Sequence, residues 1–370
     1  MSAVTLQNPS MTSPADDMRM GGEFELNPAS FCLPADQPLP TLPSAFSYWT
    51  DTGRSALLLA ARDILGRGGK PVVWLPAFCC QSVSQPFGQA GFTLQYYNAA
   101  ELHGEEDSPP NPQPGESILF VHYFGHRNER RLAQVPAWEQ AGIYIVEDAA
   151  QAALTKGVGA FGHYAVTSVR KFLPQPDGAL IGSRHALELT LADPDEAFVS
   201  AKAVAKLVRG AHAMPEDFLP LIEFAESRLD HSAIIPKRLS WLSHQLMLRA
   251  DFALVAARRR LNCQSLSYAV STELRSNVTA LIQGLSDVEA PLGLAIRVSG
   301  GRRDALRGFL AEHSVFCPIH WLLPHVPQAQ ALAADHRLAS EVLTLPIDQR
   351  MNDRHIRRLI ELLQQFFTES

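Results

Sequence analysis

The chain has 370 residues, 46% hydrophobic and 19% charged, which fits a globular protein with one large and one smaller domain and excludes global disorder. Its formal net charge of -6 offers no general attraction to nucleic acid or to an anionic membrane, so neither partner is expected. The longest apolar runs fall far short of the roughly 20 residues that cross a bilayer.

The first 45 or so residues, rich in Pro, Ser and Asp, are expected to form an extended arm (1 to 45) with one docked piece, "GGEFEL" at 21 to 26. No basic stretch followed by an apolar core opens the chain, so it does not read as a secretory signal, and the expected compartment is the cytoplasm. A large domain is expected over 46–255. It begins near "FSYWTDTGRSALLLAARDILGRGGK", read as a turn and then a helix: Asp51, Thr52 and Gly53 supply cap chemistry, while Leu57, Leu58, Ala61 and Leu65 recur at helical spacing. "PVVWLP" (71 to 76), "TLQYYN" (93 to 98), "SILFVHYF" (117 to 124) and "IYIVED" (143 to 148) follow as continuous apolar strands, the pattern of a parallel sheet buried on both faces. "YAVTSV" (164 to 169) and "GALIGS" (178 to 183) are two shorter strand candidates.

From about 185 to 265 the pattern is helical, with Leu242, Leu246, Ala250 and Leu254 on one face. A smaller C-terminal α+β domain is expected over 256–370: a strand at "GLAIRVS" (293 to 299), a helix at 302 to 313, the segments "VFCPIHW" and "VLTLPID", and a closing amphipathic helix from about 352 to 368. The five cysteines, Cys32, Cys79, Cys80, Cys263 and Cys317, include no CxxC pair, so neither a zinc site nor a disulfide framework is expected. His122 and His126 are four apart but straddle a strand end and Gly125, so no metal site is expected there. A dinucleotide site is disfavoured because no GxGxxG follows the first strand.

Two stretches carry chemistry. In "IYIVEDAAQAA" an apolar strand ends in Glu147-Asp148 and delivers carboxylates to the carboxyl edge of the sheet, where open α/β folds bind ligands. Asp148 either serves such a site or caps a helix starting at Ala149, and the strand alone does not choose. In "SVRKFLPQPDG" (168 to 178), Lys171 sits in a loop that two prolines and an Asp-Gly turn specify tightly.

Taken in chain order, "TGRSAL" (52 to 57), "LPAFCCQS" (75 to 82), "FVHYFG" (120 to 125), "VEDAAQA" and "SVRKFLPQPDGALI" (168 to 181) resemble the DegT/DnrJ/StrS family of sugar aminotransferases, which use pyridoxal 5'-phosphate (PLP). The resemblance implies an α/β chain of the PLP-dependent transferase fold type I, aspartate-aminotransferase-like, with a mainly parallel central sheet. It implies that Lys171 is the Schiff-base lysine and that Asp148 keeps the pyridine nitrogen protonated, so that the ring acts as an electron sink. Gln151 then lies beside the ring, and Gly53, Arg54, Ser55 and Ala56 cradle the phosphate at a helix N-terminus with Ser168 in reach. Phe78 and Cys80 border the cofactor, Cys80 standing where the family carries a stacking aromatic.

Substrate contacts implied in the same way are His122, Tyr123, His320 and Trp321. The implied reaction moves an amino group from an amino acid, with glutamate as the expected donor, to a keto acceptor. The expected acceptor is a nucleotide-linked keto sugar of polysaccharide or secondary-metabolite biosynthesis. A homodimer with the site at its interface is also implied. Departures from the family pattern are Phe172 after the lysine, Ala153-Leu154 where a histidine is usual, "QPDGAL" for an acidic-Gly-Gly stretch, and no clear counterpart of the partner-subunit asparagine. Two alternatives stand beside this reading: a PLP-fold protein without transaminase activity that acts as a binding or assembly partner, and a PLP enzyme of another reaction such as elimination. Retention of Lys171 and Asp148 counts against the first. Lys171 itself counts against the second, because the family's dehydratases replace it with histidine.

Overall fold

The computed structural model describes residues 18–104, 110–211, 214–275 and 277–368. Residues 1–17 of the expected arm lie outside them. After the two-residue strand β1 (Met20–Gly21), the large domain is organised by β2 (Phe46–Thr50), β3 (Val72–Pro76), β4 (Thr93–Tyr97), β5 (Ser117–Val121), β6 (Tyr144–Ala149), β7 (Tyr164–Ser168) and β8 (Ala179–Ser183). These seven form one sheet in the order β2-β8-β7-β6-β5-β3-β4, in which β8 runs against both its neighbours and the remaining pairs are parallel. Every residue of β5, β7 and β8 is buried, as continuous apolar strands require when both faces are covered.

Two local expectations differ from the structure. The turn at Asp51-Thr52 and the helix from Gly53 are as expected, but "FSYWT" before them is strand β2, for which no strand was expected, because its aromatic and β-branched residues find a partner in β8, about 130 positions away by sequence numbering. The strand read as far as Phe124 stops at Val121: Phe124 takes φ +54°, a left-handed conformation that no strand continues.

β9 (Val278–Ala280), β10 (Leu294–Val298) and β12 (Val342–Leu345) form an antiparallel sheet in the order β12-β10-β9; the short β11 (Val315–Phe316) lies between β10 and β12 in sequence and pairs in parallel with β1. Leu266, Ile296, Leu306, Leu343 and Leu363 are in its core, against the closing helix Asp353–Thr368. The long helical stretch expected around 240–265 is two helices, Trp241–Met247 and Phe252–Thr272, because Asp251 caps the second by accepting from the Leu254 amide at 2.8 Å. Helix Phe252–Thr272 runs straight through residue 255, where the domain boundary was expected. Its Val255 packs with Phe172 and Met247, and its Cys263 and Leu266 with the cluster that holds Ile296 and Leu343, so this one helix spans both clusters.

Residues 20–26 thread between the two halves. Arg350 Nη1 donates to the Glu23 carbonyl at 3.0 Å and to Glu25 Oε2 at 2.6 Å, and its guanidinium lies 4.5 Å from the centre of the Phe24 ring. All five cysteines are unpaired. Among the described residues no helix is long and apolar enough to cross a membrane, and no cluster of His, Cys, Asp or Glu is suited to a metal ion.

Gly125 shows how closely the halves approach. It has φ +96°, and a Cβ there would meet the Ala290 carbonyl oxygen at 2.5 Å and the Pro291 Cα at 2.6 Å. Gly125→Ala is therefore expected to destabilise the protein by about 2–3 kcal/mol in urea denaturation. Gly88→Ala, in helix Gln81–Gln89 with open space around it, should instead leave stability unchanged or raise it by up to about 1 kcal/mol.

Candidate active site

The carboxyl ends of β2, β6 and β7 assemble the site. In the sheet register Ala179 is the partner of both Ser168 on β7 and Thr50 on β2, and Asp148 on β6 is opposite Val121 and Val166. Chain leaving β7 therefore emerges one strand away from the chain that enters helix Gly53–Gly66, and directly beside Asp148.

Lys171 ends a single 3-10 turn, Val169–Lys171, that cannot propagate because Pro174 and Pro176 follow. Both ends of the loop are held. Phe172 is buried among Val169, Leu173 and Met247, its carbonyl accepts from Gln349 Nε2 at 2.7 Å, and the Arg259 guanidinium stands 4.9 Å from its ring centre. At the other end Gly178, with φ +126°, donates to the Asp51 carbonyl at 2.6 Å, while the Asp177 carboxylate accepts from the Ser240 amide and hydroxyl at 3.1 and 2.7 Å. The residue after Lys171 is thus an apolar anchor, and the loop is fixed by packing and carboxylate capping together.

Asp148 is buried, and its Oδ1 accepts from the Ala150 amide at 2.8 Å. No helix begins at Ala149: β6 runs through that residue and turns follow, so Asp148 caps no helix. Burial raises the Asp148 carboxyl above the usual carboxylate range, opposed by the Lys171 charge; burial lowers the Lys171 ammonium, opposed chiefly by the charge of Asp148. Arg54 also acts on Lys171, pushing its proton off. The strand's other carboxylate has a structural role. Glu147 is buried, where desolvation would raise it, yet hydrogen bonds from His122, Gly159 and Gly162 bring it below the usual range.

Helix Gly53–Gly66 is capped by Thr52, whose Oγ1 accepts from the Ser55 amide at 3.3 Å. Gly53 and Arg54 are half-buried, Ser55 and Ala56 buried. Arg54 pairs with Asp230, but its Nε is buried with no hydrogen-bond partner among the described residues. Gln151 is similarly half-satisfied: its Oε1 accepts from the Phe124 amide at 2.9 Å, whereas Nε2 is buried without a partner. Ser168 is buried at the end of β7. Cys80 opens helix Gln81–Gln89, and its sulfur accepts from the Ser82 hydroxyl at 3.1 Å.

Of the expected substrate contacts, His122 and Tyr123 are committed elsewhere. His122 is fully buried, with Nε2 3.0 Å from Glu147 Oε2 and Nδ1 accepting from the Asn128 amide at 3.0 Å, so neither ring nitrogen is left for a ligand. Tyr123 is buried and donates its hydroxyl to the Phe78 carbonyl at 2.8 Å. Phe78 is also fully buried and meets Trp321 edge-on at 5.5 Å, while Trp321 stacks at 19° on Phe124, so this aromatic cluster seals the two domains together. His320 is different: its Nδ1 is 2.9 Å from Thr344 Oγ1, and burial together with the Lys171 charge pushes its pKa down to about 3, leaving a neutral imidazole.

Lys171 and His320 share the wall of a cavity of about 690 Å³, which Gln175, Lys202, Lys206 and Glu23 also line. Asp148, Gln151, Phe78, Cys80 and residues 53–56 are not among its lining residues, so Lys171 stands between that cluster and the cavity. Sequence reasoning missed Gln175 and Glu23. The only signals were a glutamine between two prolines and a glutamate in the Gly-flanked docked piece.

No protein-family model matches the sequence, and no curated protein does. Solved structures do. A DegT DnrJ EryC1 StrS aminotransferase from Brucella abortus is 18% identical, with 88% of this chain and 87% of that one covered and a TM-score of 0.60. A putative sugar aminotransferase from Streptococcus pneumoniae, in its PLP form, is 14% identical, with 94% and 93% covered and a TM-score of 0.63. NtdA from Bacillus subtilis, with bound cofactor PMP, is 14% identical over 88% and 74%, with a TM-score of 0.64. The fold is that of these aminotransferases. In this fold type I chain, Lys171 and Asp148 sit at the carboxyl edge of the mostly parallel sheet.

Replacing Asp148 by Asn removes the anion that holds a proton on Lys171. The half-protonation point of Lys171 then moves to lower pH. Competitive labelling with acetic anhydride, read by mass spectrometry of the Lys171 peptide, should show faster acetylation at neutral pH in Asp148→Asn than in the unaltered protein.

Proposed function

We propose that the protein is a PLP-dependent aminotransferase that moves an amino group from an amino acid, glutamate being the donor we favour, to a keto acceptor of the nucleotide-linked sugar class. The observation that carries this reading is one buried lysine facing in two directions. Lys171 is beside the buried carboxylate of Asp148 on one side and opens on the cavity of about 690 Å³ on the other.

The donor set fits the cofactor. Gln151 Nε2 and Arg54 Nε are buried donors without partners among the described residues, the state expected of groups that await a polar ligand. Lys171 would hold the aldehyde carbon, Asp148 the ring nitrogen, Gln151 the neighbourhood of the ring, and the helix N-terminus at Gly53 and Arg54, with Ser168, the phosphate; the Ser55 and Ala56 amides are already taken by Thr52 Oγ1 at 3.3 Å and the Thr52 carbonyl at 3.1 Å. When bound, PLP supplies an electron sink for the carbon that carries the migrating nitrogen. Lys171 Nζ, which burial biases toward the neutral amine, takes that carbon's proton and returns one as the amine is handed over. Asp148 keeps a negative charge where a protonated ring nitrogen needs it, and the sealed aromatic wall of Phe78, Phe124 and Trp321 keeps water from the reacting face.

Helix Phe252–Thr272 leaves Leu254, Leu261 and Tyr268 exposed by 63%, 55% and 69% at every seventh residue, an apolar stripe that supports a homodimer. A cytoplasmic setting accords with a nucleotide-linked acceptor.

Purified protein with added PLP is expected to absorb in the visible, to lose that band on addition of glutamate, and after borohydride to carry the cofactor's mass on the Lys171 peptide. A protein that stays colourless, or a Lys171→Ala variant that still transaminates, overturns the reading. Asp148→Ala should lower turnover at least about a hundredfold. In sedimentation, Leu261→Asp should shift a dimer toward monomer.

A further inference from the structure

We propose that the cavity wall facing Lys171 is an anion subsite, built by Arg170, Lys202 and Lys206, and that Glu23 of the N-terminal segment occupies it until a substrate carboxylate or phosphate displaces that side chain. The inference rests on the aminotransferase reading for the identity of the substrate, not for the site itself.

Helix Glu196–Gly210 places Lys202 and Lys206 four residues apart on one face. Glu23 bridges them: Oε1 accepts from Lys202 Nζ at 3.0 Å and Oε2 from Lys206 Nζ at 2.7 Å. Glu226 Oε1 accepts from Lys202 at 2.8 Å and from Arg170 at 3.0 Å. Three cations thus share two carboxylates, leaving the cluster one positive charge in excess. The exposures are unequal. The two lysine side chains are 2% and 3% exposed, that of Glu23 33%, so the carboxylate lies over ammonium groups that would otherwise face the cavity.

Glu23 is also the replaceable member of the cluster. It belongs to a segment held by the two-residue pairing of β1 with β11 and by Arg350 and Arg209 on Glu25, contacts that survive when the Glu23 side chain swings away. A second observation points to a ligand in the same cavity. Gln175 is 1% exposed, and both of its amide atoms lack a hydrogen-bond partner among the described residues. A monoanion in place of Glu23 preserves the charge balance, and a phosphate dianion cancels the excess. Either supplies acceptors for the lysines, with Gln175 as a neutral donor beside them.

Isothermal titration of the purified full chain with succinate, and separately with inorganic pyrophosphate, tests the subsite. Glu23→Gln removes the competing carboxylate and should tighten the Kd of at least one probe by about tenfold, while Lys206→Met should weaken it by about as much. Thermal melts check that each variant folds. If Lys206→Met does not, Glu23→Gln alone decides. An effect confined to succinate assigns the subsite to a carboxylate of the amino donor, and one confined to pyrophosphate assigns it to a phosphate-bearing acceptor. Unchanged or weaker binding of both probes in Glu23→Gln overturns the proposal. A protein that shows these shifts but never transaminates keeps the subsite and loses the aminotransferase reading. One that transaminates with unaltered KM and Kd in both variants does the reverse.

Discussion

A lysine amine taken out of water beside a buried carboxylate is the constraint from which the rest of the molecule follows. Burial alone drives each of these groups toward its neutral form, and each is held toward its charged form mainly by the other. Such a pair stays poised only if the backbone beneath it does not drift. Phe172 packed under Arg259, Gly178 donating to Asp51, and Asp177 capped by Ser240 all serve that end, although none of them touches the amine.

The sheet supplies the geometry. Because β8 returns antiparallel between β7 and β2, the ends of β7 and β2 meet at Ala179, and a helix N-terminus comes to lie near the lysine although over 100 residues separate them in sequence. The same strand that presents Asp148 turns Glu147 toward His122 and the amides of Gly159 and Gly162, in keeping with the alternation of a strand. One carboxylate goes to the site and its neighbour to the scaffold. The small domain then closes the aromatic wall through Trp321, and residues 20–26 close the charged wall through Glu23 and Arg350.

Much of this was legible in the residues. Six strands of the large sheet were legible as runs, β5 to β8 because both of their faces are buried, β3 and the edge strand β4 by their apolar and aromatic residues although Thr93 and Gln95 of β4 are exposed. Lys171 and Asp148 stood out because a lysine between turn signals and a carboxylate at a strand end are local facts. The strand Phe46–Thr50 was not legible, since its partner lies beyond residue 178, nor was the break at Asp251, where a cap outweighs a continuing apolar pattern. His122 and Tyr123 were expected as substrate contacts only through the resemblance carried by "FVHYFG". The structure commits them to Glu147, Asn128 and Phe78.

By itself, then, the sequence determined the alternation of helix and strand, the placement of Lys171 in a loop that cannot become a helix, and the delivery of Asp148 to a sheet edge. These depend on propensity and spacing within a few residues. Tertiary structure alone decided which polar groups are satisfied and which are left open: Glu23 across Lys202 and Lys206, Gln175 without a partner among the described residues, His122 saturated. A hydrogen bond between residues far apart in the chain depends on distances of a few ångströms that only the assembled fold fixes.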